Sequence, residues 1–320
     1  MSKAISSVAP IPSVAPVPVL SVSPIVLPAP GRAVPLQVRV SAPVTGRDLP
    51  IVLLSHGHGA SNNLSSLNGY GPLANHWAAR GFVVIQPTHL SSATLRGVVD
   101  ANGPEGALFW RSRAEDMTHI LDALDVLEGA MPELRGRVAR GRVAVAGHSL
   151  GGMTAGMLLG QRVTDADGSV VDLRDPRIAA GVIIAGPGNP THLTGAARDR
   201  YPILRTLDFS AMTAPALVVV GDQDVNPMFS DQAEYRAGAY TLSPGPKDLL
   251  TVFGGEHILG GISGYDAAET TDERPARVEA VPQLTWAYLR TALHPADQAW
   301  RAACATLRDA PNPLARVDTK

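Results

Sequence analysis

The stretch GRVAVAGHSLGGM, residues 141–153, joins two patterns of secondary structure. Its first half is short and apolar, as in a strand buried on both faces of a sheet, and a helical pattern follows. A strand that turns abruptly into a helix strains the residue at the turn, and glycines two places before and after it give the neighbouring backbone room. Ser149 occupies this position between Gly147 and Gly151. The pattern predicts a nucleophilic serine at the end of a strand, where the strand turns into a helix. A serine that only caps a helix would not need both glycines.

Short apolar runs alternate with helical periods on both sides of this turn. Most of the runs lack the alternation of half-exposed strands, which is typical of a parallel sheet with helices on both faces. We therefore expect a single-domain α/β fold with an eight-stranded, mostly parallel sheet. The predicted strands are residues 19–27, 34–40, 51–55, 82–86, 142–146, 180–185, 216–220 and 249–253, and the predicted helices are residues 71–80, 111–128, 150–161, 230–237, 274–293 and 296–307.

Three segments without a clear period interrupt this alternation, at residues 88–109, 162–177 and 186–213. Long loops in a compact domain often form lids or binding loops, and we expect residues 186–213 to cover a site in part. Residues 1–18 are rich in proline and are predicted to be an N-terminal extension. The folded domain is accordingly expected to span residues 19–320.

The composition argues against several classes of protein. The net charge of −2 comes without a basic stripe, so we expect no nucleic-acid partner. Cys304 is the only cysteine, which excludes an intramolecular disulfide and a cysteine-built metal site. No apolar run reaches the ~18 residues of a membrane span, and the N-terminus is a poor secretory signal. We expect a cytoplasmic protein without a membrane span, and the sequence leaves open whether it forms a homo-oligomer.

Candidate partners for the serine follow two later strands. A serine hydroxyl is a weak nucleophile, which needs a base that an acid orients. In this kind of fold the acid comes before the histidine along the chain, and each follows a strand. We predict Asp224 as the acid, with Asp222 in reserve, and His257 as the base. His148 is expected to pack beside the nucleophile rather than to act as the base.

A second loop is predicted to stabilise the negative charge that develops on a substrate oxygen. Residues 55–61 read SHGHGAS, and their glycines let the backbone turn and expose an N–H group. Such donors often make the largest catalytic contribution. We assign an oxyanion hole to the backbone N–H groups of His58 and Leu150. A metal site at His56, His58 and His89 is the weaker alternative, because no carboxylate stands at ligand spacing.

Apolar residues near the predicted strand ends are candidates for the wall of a substrate pocket, although each of them also suits an ordinary core. Such a wall would favour an apolar acyl or aryl ester over a highly charged substrate. The candidates are His89, Phe109, Trp110, Met153, Ile258 and Leu259.

The motifs resemble those of the α/β-hydrolase superfamily over residues 19–293. The segments LSHGHG at 54–59 and GHSLGG at 147–152, and DPRIAAGV at 175–182, are similar to a branch of predicted dienelactone hydrolases, chlorophyllase-like esterases and intracellular platelet-activating-factor acetylhydrolases. The resemblance implies hydrolysis of carboxylic esters through an acyl-enzyme, without metal or organic cofactor. Dienelactone hydrolases themselves use a cysteine nucleophile, where this chain has Ser149.

The sequence thus predicts a serine carboxylester hydrolase that acts on a small or medium apolar ester. Four other activities could use the same three residues, namely those of a lactonase, thioesterase, amidase or acyltransferase. A cofactor-free perhydrolase and a non-catalytic binding module are remoter alternatives. Fold alone does not choose between them.

Overall fold

The computed structural model of the chain describes residues 14–59, 61–264 and 267–320, and within them nine strands form one main sheet. Two further short strands, β6 and β7, pair with each other as a hairpin. The strands are β1 (Val19–Leu27), β2 (Leu36–Pro43), β3 (Leu49–Ser55), β4 (Val83–Pro87), β5 (Val138–His148), β6 (Val163–Thr164), β7 (Val170–Val171), β8 (Ile178–Ile184), β9 (Ala216–Gly221), β10 (Lys247–Val252) and β11 (Ala315–Thr319).

Helices connect most of the central strands. The α-helices are α1 (Gly71–Ala78), α2 (Trp110–Asp122), α3 (Leu124–Ala130), α4 (Leu150–Leu158), α5 (Gly195–Arg200), α6 (Gly238–Thr241), α7 (Pro275–Leu293) and α8 (Ala299–Asp309). Single 3₁₀ turns lie at Ala93–Leu95, Gly106–Leu108, Pro132–Leu134, Pro190–His192, Pro202–Thr206 and Ala233–Ala237.

The main sheet has the strand order β1-β2-β4-β3-β5-β8-β9-β10-β11. Its central run from β4 to β10 is parallel, while β2 and β11 lie antiparallel to their neighbours. This large, mostly parallel sheet with flanking helices confirms the predicted α/β class. The predicted number of eight strands is wrong, because β11 adds a ninth strand at the edge beside β10.

The sequence of β11 lacks the continuous apolar run by which a buried strand is predicted. It is short, and Arg316 and Asp318 alternate with the less exposed Ala315 and Val317. Such polar, half-exposed strands are typical of sheet edges, where charged side chains discourage pairing with another chain. The remaining predicted strands correspond to observed ones.

Alternate residues of the central strands belong to two separate hydrophobic cores, one on each face of the sheet. In β3, Ile51 and Leu53 belong to the core that includes α2 and α4, whereas Val52 and Leu54 belong to the core beneath α1 and α7. Every residue of β3 is buried. This explains the continuous apolar runs in the sequence, since both faces of a parallel sheet are covered.

Three other local predictions differ from the structure. The predicted helix at residues 111–128 is divided at Ala123, whose φ of −102° and ψ of 17° end α2. The predicted helix at 230–237 is only a 3₁₀ turn, Ala233–Ala237. The predicted irregular segment at 162–177 contains the β6–β7 hairpin.

The predicted N-terminal extension lies partly outside the described residues, which begin at residue 14. The N–H group of Val17 donates to the carbonyl of Ala79 at 2.9 Å, so the chain just before β1 is bound to the end of α1. In the part of the chain that the structure describes, no helix is both long and apolar enough to cross a membrane.

The strand order reverses beside β3, and this reversal creates the crevice in which the site lies. From β3 the chain passes to β4 on one side and then returns to β5 on the other side. In open α/β sheets, ligands bind in the crevice at the carboxyl ends of the strands where the order reverses. The loop after β3 and the turn after β5 meet at this position.

Glycine is required where these two strands end. A Cβ atom on Gly151 would overlap the backbone carbonyl oxygen of Ser55, and one on Gly147 would overlap that of Gly151. Ser55 is the last residue of β3, and Gly151 is in the first turn of α4. The backbones of the two segments therefore touch directly.

We predict that Gly151→Ala lowers the free energy of unfolding by about 2–3 kcal/mol, because the added methyl group overpacks a backbone contact that cannot give way. Urea unfolding monitored by circular dichroism measures this effect. The matched control is Gly129→Ala in α3, where nothing lies within 4 Å of the added Cβ. The control should be neutral or stabilising, since alanine favours helix over glycine. Equal stability of the two variants would contradict the proposed contact.

Candidate active site

Ser149 stands at the turn between β5 and α4 with a positive φ angle. Its φ is 55° and its ψ is −123°, a conformation that residues with a side chain rarely adopt. The hydrogen bond from its N–H group to the carbonyl of Ile184 in β8, at 2.8 Å, helps to hold it there. Strained backbone of this kind often occurs at functional sites. The serine is half-buried and its side chain lines a cavity.

Loops from two other strands bring an acid and a base to this serine. His257 follows β10, and its Nε2 atom lies 2.9 Å from Ser149 Oγ. Asp224 follows β9, and its Oδ2 atom lies 2.9 Å from His257 Nδ1. The three side chains form a continuous line of hydrogen bonds, in which Nε2 can accept the serine proton while Asp224 holds the imidazole in the necessary tautomer.

The reserve acid Asp222 lies elsewhere in the same loop. Its Oδ1 atom accepts a hydrogen bond of 2.6 Å from the N–H group of Gly254, so it braces the loop that precedes the histidine. Glu256, next to the base, accepts a hydrogen bond from Thr271. Neither carboxylate is bonded to His257.

A buried arginine stands behind the acid. Arg236 Nε is 3.2 Å from Asp224 Oδ2, and the two residues are 4% and 3% exposed. Burial alone would raise the pKa of Asp224, but the Arg236 guanidinium and the hydrogen bond from His257 outweigh it and lower that pKa to about 2. Asp224 is therefore ionised at neutral pH. No recognisable motif in the sequence marks Arg236.

The base is neutral at neutral pH. Burial lowers the pKa of His257, the Arg236 guanidinium lowers it further, and the hydrogen bond with Asp224 opposes both effects without cancelling them. A neutral imidazole is the form that can take a proton from a serine.

His58 and Leu150, whose backbone N–H groups are predicted to bind an oxyanion, both line the cavity above Ser149. Leu150 is the first residue of α4, so its N–H group has no acceptor within the helix. His58 lines the same cavity as Ser149 and Leu150. The neighbouring N–H of Gly57 is already used, because it donates to the hydroxyl of Tyr70 at 3.0 Å. Ala60, in the same loop, lies outside the described residues.

A chain of buried hydrogen bonds links this loop to the loop of His257. Of its members, the sequence predicts only the position of His148 beside Ser149. Gly57 N–H donates to Tyr70, whose hydroxyl lies 2.8 Å from His148 Nδ1, and His148 Nε2 lies 2.7 Å from the carbonyl of His257. Burial lowers the pKa of His148 to about 3, so the ring is neutral. A neutral ring that donates from Nε2 must accept at Nδ1, which makes Tyr70 the donor there. His148 thus packs beside the nucleophile, and no local sequence pattern indicates Tyr70.

His89 lies in a buried network rather than on the cavity wall. Its Nε2 atom is 2.9 Å from Ser55 Oγ, and its Nδ1 atom is 2.8 Å from Asp116 Oδ2. Arg113, which is fully buried, donates to Ser55 Oγ and to the carbonyl of His56. The network attaches α2 to the end of β3 and so supports the loop that carries His58.

The ring nitrogens of the neighbouring His56 are also occupied by protein groups. Its Nδ1 atom is 2.6 Å from the carbonyl of Gly57, and its Nε2 atom accepts from the N–H of His89 at 3.1 Å. Within the described residues, no group of three or more His, Cys, Asp or Glu side chains could hold a metal ion.

The cavity above Ser149 has a volume of about 600 Å³. Of the six predicted wall residues, Ile258 lines it, whereas Met153 and Leu259 are buried in the two hydrophobic cores. Phe109 and Trp110 line separate depressions. Much of the apolar wall comes instead from Leu64, Leu108, Leu204, Val225, Met228 and Phe229. Three further wall residues, Pro187, Arg200 and Tyr201, belong with Leu204 to the segment 186–213 that was expected to cover a site.

The described fold and site thus place a Ser–His–Asp line of hydrogen bonds at the carboxyl edge of a mostly parallel α/β sheet. No model of a known protein family matches the chain, and no curated protein matches it. The assignment of a function therefore depends on the geometry of the site and on the chemistry of its residues.

We predict that Arg236→Met raises the pKa of His257 by about 0.5–1, because loss of a nearby positive charge favours the imidazolium form. Titration of the imidazole signals by NMR measures this pKa. Arg301→Met, which removes an exposed cation from α8, is the matched control and should leave the pKa unchanged. An unchanged or lower pKa in Arg236→Met would contradict the assigned electrostatic role.

Proposed function

We propose that the protein is a serine carboxylester hydrolase with an α/β-hydrolase fold. The observation that carries this proposal is the line of hydrogen bonds from Ser149 through His257 to Asp224. Hydroxyl, neutral imidazole and ionised carboxylate stand in the order and in the protonation states that nucleophilic catalysis requires.

The positions of these residues in the sheet support the fold assignment. Ser149 follows β5, and the acid and the histidine follow the later strands β9 and β10. An α/β-hydrolase carries its nucleophile on a strand-to-helix turn, and its acid and histidine come later in the chain in this order. In this assignment, β11 is an addition at the sheet edge.

The geometry supports a reaction in two stages. His257 Nε2 takes the proton of Ser149 while the serine oxygen attacks the ester carbonyl, and the N–H groups of His58 and Leu150 bind the resulting oxyanion. The histidine then protonates the departing alcohol, which leaves an acyl-serine. In the second stage His257 removes a proton from water, the hydroxide oxygen attacks the acyl carbon, and the proton returns to Ser149 as the acid is released.

The cavity supports a small or medium ester with an apolar part. Its volume of about 600 Å³ lies within the range of pockets that enclose small organic ligands. Leu204, Met228 and Phe229 supply an apolar surface on the side of the covering segment and the loop after Asp224. A cytoplasmic location, with which the single cysteine is compatible, remains a prediction.

We predict that Ser149→Ala lowers kcat for p-nitrophenyl butyrate by roughly 10³-fold or more, because the acyl-enzyme cannot form. Release of p-nitrophenolate measures the rate, and the melting temperature shows whether the fold is intact. Ser169→Ala, at an exposed position between β6 and β7, should keep full activity. Retention of more than a tenth of the wild-type rate by folded Ser149→Ala would contradict the mechanism.

A series of p-nitrophenyl esters from acetate to palmitate should show an optimum at short or medium acyl chains. The reason is that a medium acyl chain and the leaving group already fill most of a cavity of about 600 Å³, so that further CH₂ groups gain little burial. Values of kcat/KM across the series measure this preference. A maximum at palmitate would contradict the proposed size of the pocket.

Assays of the same protein with other substrates distinguish the alternative activities that could use this site. Faster turnover of a lactone, thioester or amide would change the assigned bond, and product analysis with a competing alcohol would reveal an acyltransferase. Peracid formation from a carboxylate and peroxide would indicate a perhydrolase. Failure of a folded protein to react with an organophosphate or with any ester would favour a binding module.

A further inference from the structure

The guanidinium of Arg236 forms part of the cavity wall beside the catalytic residues. The residue is only 4% exposed, and its Nε atom faces Asp224 Oδ2 at 3.2 Å, whereas none of the described residues accepts a hydrogen bond from its two Nη atoms. Within the described residues, Asp224 is the one carboxylate at ion-pair distance from it. The Nη donors are therefore not used within the described part of the protein and are available to an acceptor in the cavity.

Aromatic rings fix the position of this guanidinium. It lies 5.9 Å from the ring centre of Phe229 and 5.0 Å from that of Tyr235. Cation–π contacts of this kind stabilise the charge but leave the N–H donors in the plane of the group free. The side chain is therefore held in place for an acceptor that approaches from the cavity.

The other charged groups of the cavity are Arg200, Glu256 and Glu269, and they differ in whether protein groups already use them. The carboxylate of Glu269 accepts hydrogen bonds from the N–H and the hydroxyl of Ser61, and Glu256 accepts from Thr271. Arg200, at the cavity wall, has no ion-pair partner within the part of the chain that the structure describes. The cavity thus offers two guanidinium groups with free donors, whereas its carboxylates are already hydrogen-bonded.

We propose that Arg236 binds a carboxylate of the substrate, so that the enzyme acts on monoanionic carboxylic esters. The inference rests on the proposed esterase function and names its substrate class. A guanidinium is suited to this task because it can give two parallel hydrogen bonds to a carboxylate. The apolar part of the ester lies against Met228 and Phe229, and its carboxylate lies on Arg236, with Arg200 nearby.

Two matched pairs of esters test this preference and place the carboxylate on one side of the scissile bond. Mono-p-nitrophenyl adipate and p-nitrophenyl hexanoate compare a charged with a neutral acyl group. The second pair, 3-(butanoyloxy)benzoate and 3-(butanoyloxy)benzamide, compares a charged with a neutral leaving group. Wild type, Arg236→Met, Arg236→Lys and the exposed control Arg174→Met are assayed at a pH at which His257 is neutral in each variant.

The carboxylate member of at least one pair should lose about tenfold more in kcat/KM than its neutral partner when Arg236 becomes Met. The neutral partner also loses activity, because Asp224 loses its cation, and therefore the ratio within a pair is the decisive quantity. Arg236→Lys should recover part of the ratio, and Arg174→Met should not change it. An equal loss within twofold for both members of both pairs would overturn the proposal and leave Arg236 with only a positioning role.

A binding measurement separates failure of this inference from failure of the proposed function. Calorimetry compares the affinity of Ser149→Ala and of Ser149→Ala/Arg236→Met for the benzoate ester and for the benzamide ester. Weaker binding of the benzoate alone in the double variant supports the carboxylate site even if no ester is hydrolysed. Unchanged binding overturns it even if neutral esters are hydrolysed through Ser149.

Discussion

The backbone contact between Gly151 and Ser55 constrains the rest of the site. It brings the start of α4 against the end of β3, which lies beside β5 in the sheet. Ser149 and the loop that carries His58 are consequently neighbours through the main chain and do not depend on flexible side chains. A site built on such contacts is pre-organised, which is the condition under which backbone N–H donors stabilise developing charge most effectively.

Buried polar groups extend this constraint to the flanking helices. Arg113 in α2 donates to Thr154 in α4 and to Ser55 at the end of β3. On the other side, Tyr70 and His148 link the loop after β3 to the main chain of His257. Each network has partners for its donors and acceptors, and satisfied buried networks specify one arrangement more strictly than apolar packing does. Ser149, the loop that carries His58 and the loop that carries His257 are therefore held by one connected framework.

The sequence could indicate the line from Ser149 to Asp224 because each of its three residues comes a few positions after a short apolar run, and parallel strands end at one edge of a sheet. It could not indicate the cavity wall, since Met228 and Phe229 lie in a loop whose path depends on tertiary packing. The sequence likewise could not indicate that α2 ends at Ala123, because the helical period of apolar residues continues across this position. The sequence also could not indicate Arg236, for another reason. Its effect on Asp224 and His257 depends on contacts that only the fold creates.

In the proposed enzyme, the position of Arg236 would couple the charge of a substrate to the proton affinity of His257. The guanidinium keeps Asp224 ionised, which favours the correct tautomer of His257, but it also lowers the pKa of that histidine. A substrate carboxylate on Arg236 would offset the second effect, because it brings a negative charge to the cation. The base would then be strongest when an anionic ester is bound. The same residue would thus both select the substrate and adjust the proton affinity of the catalytic histidine to its presence.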